Sequence, residues 1–436
     1  VFHYAIVNLA DIAETARDVD FAMRWGFGWK LGPFEIMQQA GWSELVAAIA
    51  ADIEAGRTLA DAPLPAWATS IDAVHTPAGS YAPASGDYRG LPDNPVYDRQ
   101  LPRENVVGSI TAAQPGSTVF ETDAVRLWHE DDGIAVLSFK TKMRSVSTEV
   151  LDGIIEACAE AERGFDGLVL WHPGAPFSVG ADLKQAGELA ATQGMETVRD
   201  MIAKFQRASM TLKHCLVPTV AAVEGMALGG GCEFQMHCNR TVASLESYVG
   251  LVEVGVGLLP AGGGLKELAI RSAQFARGGE LMPHVGKAFE LAAMGTTATS
   301  GLDARRLGLL ADDDIVIANG HELLYVARQQ ARAMAASNFR APDPMEQILV
   351  AGKTGHASLM MIAVNMLEGG FISEHDYEIA GRIASVLTGG DVDAGTSVSQ
   401  GWLLKLELDN FVELMAMPKT QARVEHMLKT GKPLRN

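Results

Sequence analysis

The sequence has few cysteines and no excess of basic residues. Four cysteines in 436 residues are too few for a disulfide framework, and no CxxC zinc pattern occurs. We therefore expect reduced thiols in a cytoplasmic protein. Acidic residues outnumber basic residues by 53 to 35, and the net charge of −18 excludes general binding to nucleic acid, whose phosphates it repels.

Long apolar runs and targeting segments are also lacking. No uncharged apolar run reaches about 18 residues, so no membrane span is predicted, and no secretory signal pattern is present. The eleven histidines form no HxxxH pair, so no metal site is predicted. The length suggests about two or three globular domains. The chain starts at Val1 without Met, inside an apolar segment, so we expect a fragment of a longer polypeptide.

Composition divides the chain into four segments. Residues 1–55 have helical spacing with a glycine-rich loop at 25–33. Residues 56–122 hold 8 of the 18 prolines, which predicts an extended linker or, given its length, an extended segment lying on another domain. Residues 123–335 alternate buried strands with helices, which indicates an α/β fold. Residues 336–436 are predicted to form amphipathic helices.

Periodicity predicts several individual elements within the last two segments. The apolar runs predict strands at 134–139, 168–171 and 219–223. Helical spacing predicts helices at 195–213, 355–368, 374–388, 399–416 and 418–430.

The stretch from Glu224 to Glu233 contains three consecutive glycines. It follows a predicted strand and precedes a potential helix over 231–238. Glycines allow a tight turn and let a ligand approach the backbone. The unpaired N–H groups at such a helix start favour a developing negative charge. The alternative is a turn that serves packing alone.

Two further stretches could carry chemistry. Gly180-Ala-Asp-Leu offers a backbone N–H at a strand-to-helix corner, with Asp182 as a helix cap, although an ordinary corner has the same pattern. Glu253 lies within the apolar run 251–264. Burial would raise its pKa and suit it to general acid catalysis, whereas an edge-strand glutamate would point to water.

Taken together, these motifs resemble the crotonase (enoyl-CoA hydratase/isomerase) superfamily over residues 123–335. The resemblance implies an α/β fold with a crotonase-like ββα spiral core, flanked here by helical regions, that binds acyl-CoA thioesters. By position, the backbone N–H groups of Ala181 and Gly230 would form the oxyanion hole. Glu233 would be the base that activates water, and Glu253 the acid that protonates the α-carbon.

The sequence departs from the family pattern at several positions. Val252 stands where the family often has proline, and residues 143–147 replace an Asn-Ala-Leu-like motif, which leaves the acyl chain-length preference open. Ser178 stands where alanine is common, and a contact to the CoA adenine is expected there through the backbone. Lys184 would approach the CoA phosphates, or else be a solvated surface lysine.

The first segment resembles a different family. Residues 20–35, which include Trp-Gly-Phe-Gly-Trp and Gly-Pro-Phe-Glu, resemble the C-terminal helical domain of 3-hydroxyacyl-CoA dehydrogenases. The resemblance implies the C-terminal part of a fused dehydrogenase–hydratase of fatty-acid β-oxidation, with residues 1–55 as the dehydrogenase remnant. The helices of 336–436 would pack on the dehydrogenase part or form an oligomer contact.

The predicted function is enoyl-CoA hydratase, which adds water syn to trans-2-enoyl-CoA to give 3-hydroxyacyl-CoA. No metal or redox cofactor is expected for hydration. Coenzyme A enters with the substrate, and NAD belongs to the missing dehydrogenase domain. The expected partners are the acyl-CoA thioester and the rest of the dehydrogenase polypeptide, with a homo-oligomer left open. The alternatives are a Δ3–Δ2 enoyl-CoA isomerase and a non-catalytic acyl-CoA-binding scaffold.

Overall fold

The computed structural model describes residues 1–100, 106–108 and 116–436, and the chain forms two compact units, 1–115 and 116–436. The described elements of the first unit are the helices α1 (Phe2–Ile12), α2 (Ala16–Phe27), α3 (Pro33–Glu54), α4 (Ala66–Ser70) and α5 (Pro95–Asp98), and the strands β1 (His75–Thr76), β2 (Gly79–Ala82) and β3 (Asp87–Arg89). The three strands form an antiparallel sheet.

Local capping explains where the first helices begin and end. Asp18 Oδ2 accepts hydrogen bonds from the backbone N and the hydroxyl of Thr15, both at 2.9 Å, and this capping box starts α2 after a break that the periodicity did not predict. Gly28, with φ of 67°, ends α2, and Pro33 starts α3. The predicted glycine-rich loop is therefore shorter than 25–33, because α2 continues to Phe27.

The proline-rich segment needs a correction. Trp67, Val74 and Tyr81 pack into the same apolar core as Phe34 and Trp42 of α3. The Trp42 indole N–H donates to the carbonyl of Ala68 at 3.0 Å, which ties α3 to α4. Residues 64–89 are thus an integral part of the first unit rather than a linker. Of the predicted linker, residues 101–105 and 109–115 lie outside the described residues.

A cluster of buried polar side chains links the helices of this unit to its sheet. The ring of His75 contacts Asp20 Oδ2 at 2.7 Å through Nε2 and the Ser80 hydroxyl at 2.8 Å through Nδ1. Asp20 Oδ1 also accepts the backbone N–H of Phe34 at 2.8 Å. The side chains of His75 and Asp20 are fully buried, so the group serves to hold α2, α3 and the sheet together.

The second unit is an α/β structure. Its strands are β4 (Ser117–Glu121), β5 (Val125–His129), β6 (Ile134–Phe139), β7 (Gly167–Leu170), β8 (Thr219–Leu228), β9 (Arg240–Gly250), β10 (Ile315–Ile317), β11 (Gln347–Leu349) and β12 (Ser397–Ser399). Its helices are α6 (Thr148–Gly164), α7 (Leu183–Gln193), α8 (Met195–Lys213), α9 (Gly230–His237), α10 (Gly264–Ala276), α11 (Met282–Met294), α12 (Gly301–Arg306), α13 (Leu323–Ala336), α14 (Gly352–Glu368), α15 (Glu374–Leu387), α16 (Gln400–Met415) and α17 (Pro418–Thr430). Short 3₁₀ helices cover Lys142–Arg144, Glu253–Val256 and Gly320–Glu322.

Within residues 116–436, β4 to β10 form a seven-stranded sheet in the order β10-β9-β8-β7-β6-β5-β4. The strands from β6 to β10 are parallel, and β4 and β5 pair antiparallel at one edge. The short apolar runs predicted as strands are the buried central strands β6, β7 and β8. Parallel strands buried on both faces favour such continuous apolar runs.

The helices after residue 336 do not form a separate layer. Leu359, Ile383, Leu403 and Phe411 from α14, α15 and α16 belong to the same hydrophobic core as the central strands. The predicted boundary at 335/336 is therefore not a boundary in packing. The helices predicted in this segment agree with α14 to α17 to within about three residues at each end. Among the described residues, no helix is long and apolar enough to cross a membrane.

Candidate active site

Two backbone segments meet beside the carboxyl ends of β7 and β8. The loop after β7 pairs with residue 146, since Val146 N donates to the Gly180 carbonyl and Asp182 N donates to the Val146 carbonyl. This parallel bridge turns the N–H of Ala181 away from Val146. Asp182 then caps α7 by accepting the N–H groups of the two residues at 184 and 185, as its position predicted. The loop therefore presents the Ala181 N–H on its other side.

The glycine-rich stretch supplies the second segment. The strand β8 runs to Leu228, five residues beyond the predicted end, and α9 begins directly at Gly230. As the first residue of the helix, Gly230 has an N–H with no acceptor inside the helix. A Cβ on Gly230 would lie 3.5 Å from Ala181 N and 2.5 Å from the Phe205 ring. The two predicted oxyanion-hole positions are thus brought together, at a point too close for a side chain.

Glu233 lies one turn into α9 and is almost fully buried, with 3% exposed. Its Oε1 accepts the backbone N–H groups of Gly262 and Gly264, both at 2.8 Å. Burial raises the pKa of Glu233 to about 7, although these two hydrogen bonds and the charge of Lys266 lower it in part. A carboxyl group with this pKa exchanges its proton near neutral pH, which is the property of a general base.

Glu253 is the first residue of a 3₁₀ helix, not part of an edge strand. Its Oε2 is buried and has no hydrogen-bond partner among the described residues. A Cβ on Gly229 would lie 3.1 Å from Glu253 Oε1, so the carboxyl group lies against the start of α9. Burial and the neighbouring Glu233 raise the pKa of Glu253 well above its usual value. Both effects favour the protonated form of Glu253, which is the form that can donate a proton.

One cavity of about 460 Å³ joins these groups. Its lining includes Ala181, Gly230, Glu233 and Glu253, so the structure brings all four predicted catalytic and oxyanion-hole positions to the same space. The remaining walls are largely apolar. They include Met201, Ile202 and Phe205 of α8, Phe411 and Met415 of α16, and Met427 of α17.

The two residues predicted to contact coenzyme A differ in their surroundings. Ser178 is fully buried, its N–H donates to the Met226 carbonyl and its carbonyl accepts the N–H of Leu228. The Ser178 N–H is therefore already paired, whereas its carbonyl oxygen has a second lone pair. Lys184 is 76% exposed and lies 3.8 Å from the carboxylate of Glu188. It is free to move in solvent, and both CoA contacts stay predictions.

Sequence reasoning missed the part of the site that comes from the C-terminal helices. Phe411, Met415 and Met427 lie far from the motifs along the chain, and no pattern linked them to a ligand. Glu407 of α16 is also buried beside the site. Its position did carry a signal, because it lies four residues from both Leu403 and Phe411 and so on the apolar face of its helix.

Over residues 1–100, 106–108 and 116–436, there is no group of three or more histidine, cysteine, aspartate or glutamate side chains that could hold a metal ion.

Comparisons with known proteins agree with this geometry. Residues 129–340 match the family model described as enoyl-CoA hydratase/isomerase. The chain is 34% identical over 443 residues to a probable 3-hydroxyacyl-CoA dehydrogenase of Bacillus subtilis, covering 99% of this chain and 53% of that relative. It is 27% identical over 275 residues to a putative fatty acid oxidation complex trifunctional enzyme of Rickettsia felis, covering 62% of this chain and 34% of that relative.

The chain thus spans about half or less of the length of these curated relatives. Among solved structures, the enoyl-CoA hydratase of Bacillus halodurans is 17% identical with a TM-score of 0.47, covering 69% of this chain and 99% of that one. The matched segment contains both candidate glutamates, both oxyanion-hole positions and the parallel part of the sheet. Residues 129–340 therefore match the enoyl-CoA hydratase/isomerase family, and they contain the α/β core that the motifs predicted.

Proposed function

We propose that this chain is an enoyl-CoA hydratase, which adds water syn to trans-2-enoyl-CoA and gives 3-hydroxyacyl-CoA. The observation that carries the proposal is the presence of two buried glutamates, both with raised pKa values, in one cavity beside two backbone N–H groups. Hydration needs both a base and an acid, and two carboxyl groups at one site can divide these roles.

Each group has a defined role in the proposed reaction. The N–H groups of Ala181 and Gly230 hold the thioester oxygen and stabilise the negative charge that develops on it. Glu233, ionised, removes a proton from water as the water oxygen bonds to the β-carbon. Glu253, protonated, delivers its proton to the α-carbon. The reaction adds one water in total, and one proton passes from Glu233 to Glu253 through solvent before the next turnover.

The apolar wall of the cavity suggests the type of acyl group. Side chains of α8, α16 and α17 provide an apolar surface beyond the two glutamates. Each methylene that becomes buried contributes roughly 0.8 kcal/mol. We therefore expect a ten-carbon enoyl-CoA to have at least about a tenfold higher kcat/KM than the four-carbon substrate, even if only two of its additional methylenes are buried.

The wider protein is proposed to be a fused dehydrogenase–hydratase of fatty-acid β-oxidation. This proposal is supported by the similarity of 99% of the chain to a probable 3-hydroxyacyl-CoA dehydrogenase. On this proposal, the first unit belongs to the dehydrogenase part, which would bind NAD outside this chain. Hydration itself would need no metal or redox cofactor, and coenzyme A would enter with the substrate.

The test follows the loss of enoyl-thioester absorbance with four-carbon and ten-carbon 2-enoyl-CoA. Wild type, Glu233→Gln and Glu253→Gln are compared with Glu413→Gln, a change at a largely exposed glutamate of α16. We expect turnover by wild type and Glu413→Gln, and a loss of at least about 100-fold in the other two variants, since each loses one proton-transfer group.

Other outcomes would favour the alternatives. Conversion of a 3-enoyl-CoA that depends on Glu253 but not on Glu233, without hydration, would indicate an isomerase. Binding of the thioesters by calorimetry without any turnover would indicate a scaffold. A Met415→Trp variant, which narrows the apolar end of the cavity, should lower kcat/KM for the ten-carbon substrate more than for the four-carbon substrate. The matched control is Met361→Trp, because Met361 is exposed and does not line the cavity.

A further inference from the structure

A carboxylate from the C-terminal region is buried behind the catalytic loop. Glu407 of α16 has no exposed surface. Its Oε2 accepts the backbone N–H of Gly263 at 2.9 Å, and its Oε1 accepts the backbone N–H of Lys266 at 2.6 Å. These N–H groups lie at the start of α10, where the helix itself offers no acceptors and where the helix dipole favours a negative charge.

Glu233 is held by the same turn. The N–H groups of Gly262 and Gly264 point to Glu233, whereas those of Gly263 and Lys266 point to Glu407. A Cβ on Gly262 would lie 2.6 Å from Glu233 Oε2, and one on Gly264 would lie 2.9 Å from Glu233 Oε1. The turn is therefore a thin layer of backbone between two carboxylates, and its position determines where the carboxylate of Glu233 lies.

A second contact fixes α16 against this turn. The side-chain amide of Gln206 in α8 donates to the carbonyl of Ala261 at 2.9 Å and to the carbonyl of Leu404 at 2.8 Å. On the other side, Lys266 Nζ donates to His237 Nε2 at 2.9 Å, and His237 Nδ1 donates to the backbone carbonyl of Glu233 at 2.6 Å. Because the Glu233 carbonyl can only accept, Nδ1 carries the proton.

Keeping Glu407 beside Glu233 has an energetic cost. Burial, and then the charge of Glu233, raise the pKa of Glu407 well above its usual value. Several charged or titratable groups surround this pair: Lys266 and Glu267 of α10, His237 of α9 and Lys213 of α8. A serine or asparagine could cap a helix without a second buried carboxyl group beside Glu233. The use of a carboxylate here points to a role beyond capping.

We propose that Glu407 is a positioning residue for catalysis, which holds the 262–264 turn in place so that Glu233 is oriented towards the substrate. The proposal rests on the hydratase function proposed above. It extends the active site beyond the matched segment 129–340 into the C-terminal helices. Glu407 itself does not line the cavity, so it acts through the turn and not on the substrate.

The test compares Glu407→Gln and Glu407→Ala with Glu413→Gln, which makes the same chemical change on the same helix at a largely exposed residue. Glutamine keeps an oxygen that can accept one of the two backbone N–H groups, whereas alanine keeps none. We expect Glu407→Gln to lower kcat at least about tenfold with KM changed less than about threefold, because the base is displaced while substrate binding is retained. Glu407→Ala should lower kcat further, and Glu413→Gln should have the kcat and KM of wild type.

Different results would refute the positioning role of Glu407 and the hydratase function. If Glu407→Gln unfolds cooperatively like wild type and keeps its kcat, Glu407 does not position the base and the proposal is overturned. If Glu407→Ala fails to fold, Glu407→Gln decides. If wild type hydrates neither substrate, the hydratase function fails. The proposal is then decided by amide NMR of protein labelled with ¹⁵N-glycine, because the Gly262 and Gly264 N–H groups bond to Glu233. Loss of their hydrogen-bonded ¹H shifts in Glu407→Gln supports positioning, and unchanged shifts refute it.

Discussion

The pH dependence of hydration tests the environment of Glu233 directly. Burial raises the pKa of this base from its ordinary value of 4.5 to about 7. At about 1.36 kcal/mol per pKa unit, the shift corresponds to a cost of roughly 3 kcal/mol for ionising this fully buried group. The base must be ionised to accept a proton, so kcat/KM should rise with pH through this pKa and fall again when Glu253 loses its proton at higher pH.

The expected change in kcat/KM is large enough to distinguish a buried Glu233 from a glutamate with an ordinary pKa. With a pKa of about 7, roughly 3% of Glu233 is ionised at pH 5.5, whereas an ordinary glutamate would be about 90% ionised. From the ionisation of Glu233 alone, we therefore expect kcat/KM for 2-enoyl-CoA to be about thirtyfold lower at pH 5.5 than at a pH where Glu233 is fully ionised. The assay is the loss of enoyl-thioester absorbance in buffers of constant ionic strength.

Two controls accompany this measurement. Circular dichroism at pH 5.5, and recovery of activity after return to pH 8, show that the loss is not unfolding. The Glu413→Gln variant should give the same profile as wild type, because that residue is largely exposed and lies outside the cavity. A kcat/KM that stays constant between pH 5.5 and pH 8 would refute the assignment of Glu233 as a buried base.

The remaining predictions concern the oxyanion hole, the charge behind the site and the first unit. The Cβ of Gly180→Ala would lie 2.8 Å from the carbonyl oxygen of Leu228 in β8, so this variant should lower kcat about 100-fold. Gly187→Ala has open space around its Cβ and should leave kcat unchanged. A loss of less than tenfold in Gly180→Ala would contradict the oxyanion hole. Lys266→Met removes a positive charge that lowers the pKa of Glu233, so the acidic limb of the kcat/KM profile should move to higher pH. An acidic limb that stays in place would contradict the electrostatic effect of Lys266 on Glu233. Asp20→Asn should lower the free energy of unfolding in urea by about 2 kcal/mol, because it disrupts a buried hydrogen-bonded pair, while Asp52→Asn on the surface should match wild type.

The motifs singled out four positions that lie together in the structure. The spacing from Gly180 to Glu253 placed two backbone N–H groups and two glutamates in one family pattern, and the structure brings all four positions to one cavity. Each motif by itself left a purely structural alternative open, and only the family resemblance joined them into one site. The exact ends of β8 and the 3₁₀ helix at Glu253 were not predicted, because backbone pairing with β9 and the neighbouring loop decides them.

The packing of the proline-rich segment, by contrast, could not be predicted from the sequence. Prolines at 63 and 65 correctly exclude a long helix, but they do not reveal what the segment contacts. Its packing depends on Trp42 and Gln38 of α3, whose side chains bond to the backbone of residues 68, 74 and 75. Such contacts between residues far apart in the chain leave no periodic pattern in the sequence.

The sequence alone determined the α/β class and the strand and helix segments, because hydrophobic periodicity is a local property. The resemblance of its motifs to a known family singled out Glu233 and Glu253 as candidates. Only the tertiary structure decided the apolar wall of the cavity and the position of Glu407. Phe411 and Met415 reach the cavity because α16 packs against α8 and α10. Along the chain, these two residues lie about 150 residues after the last of the motifs. The tertiary structure also decided the raised pKa values of the two glutamates, which depend on burial and, for Glu253, on the charge of Glu233.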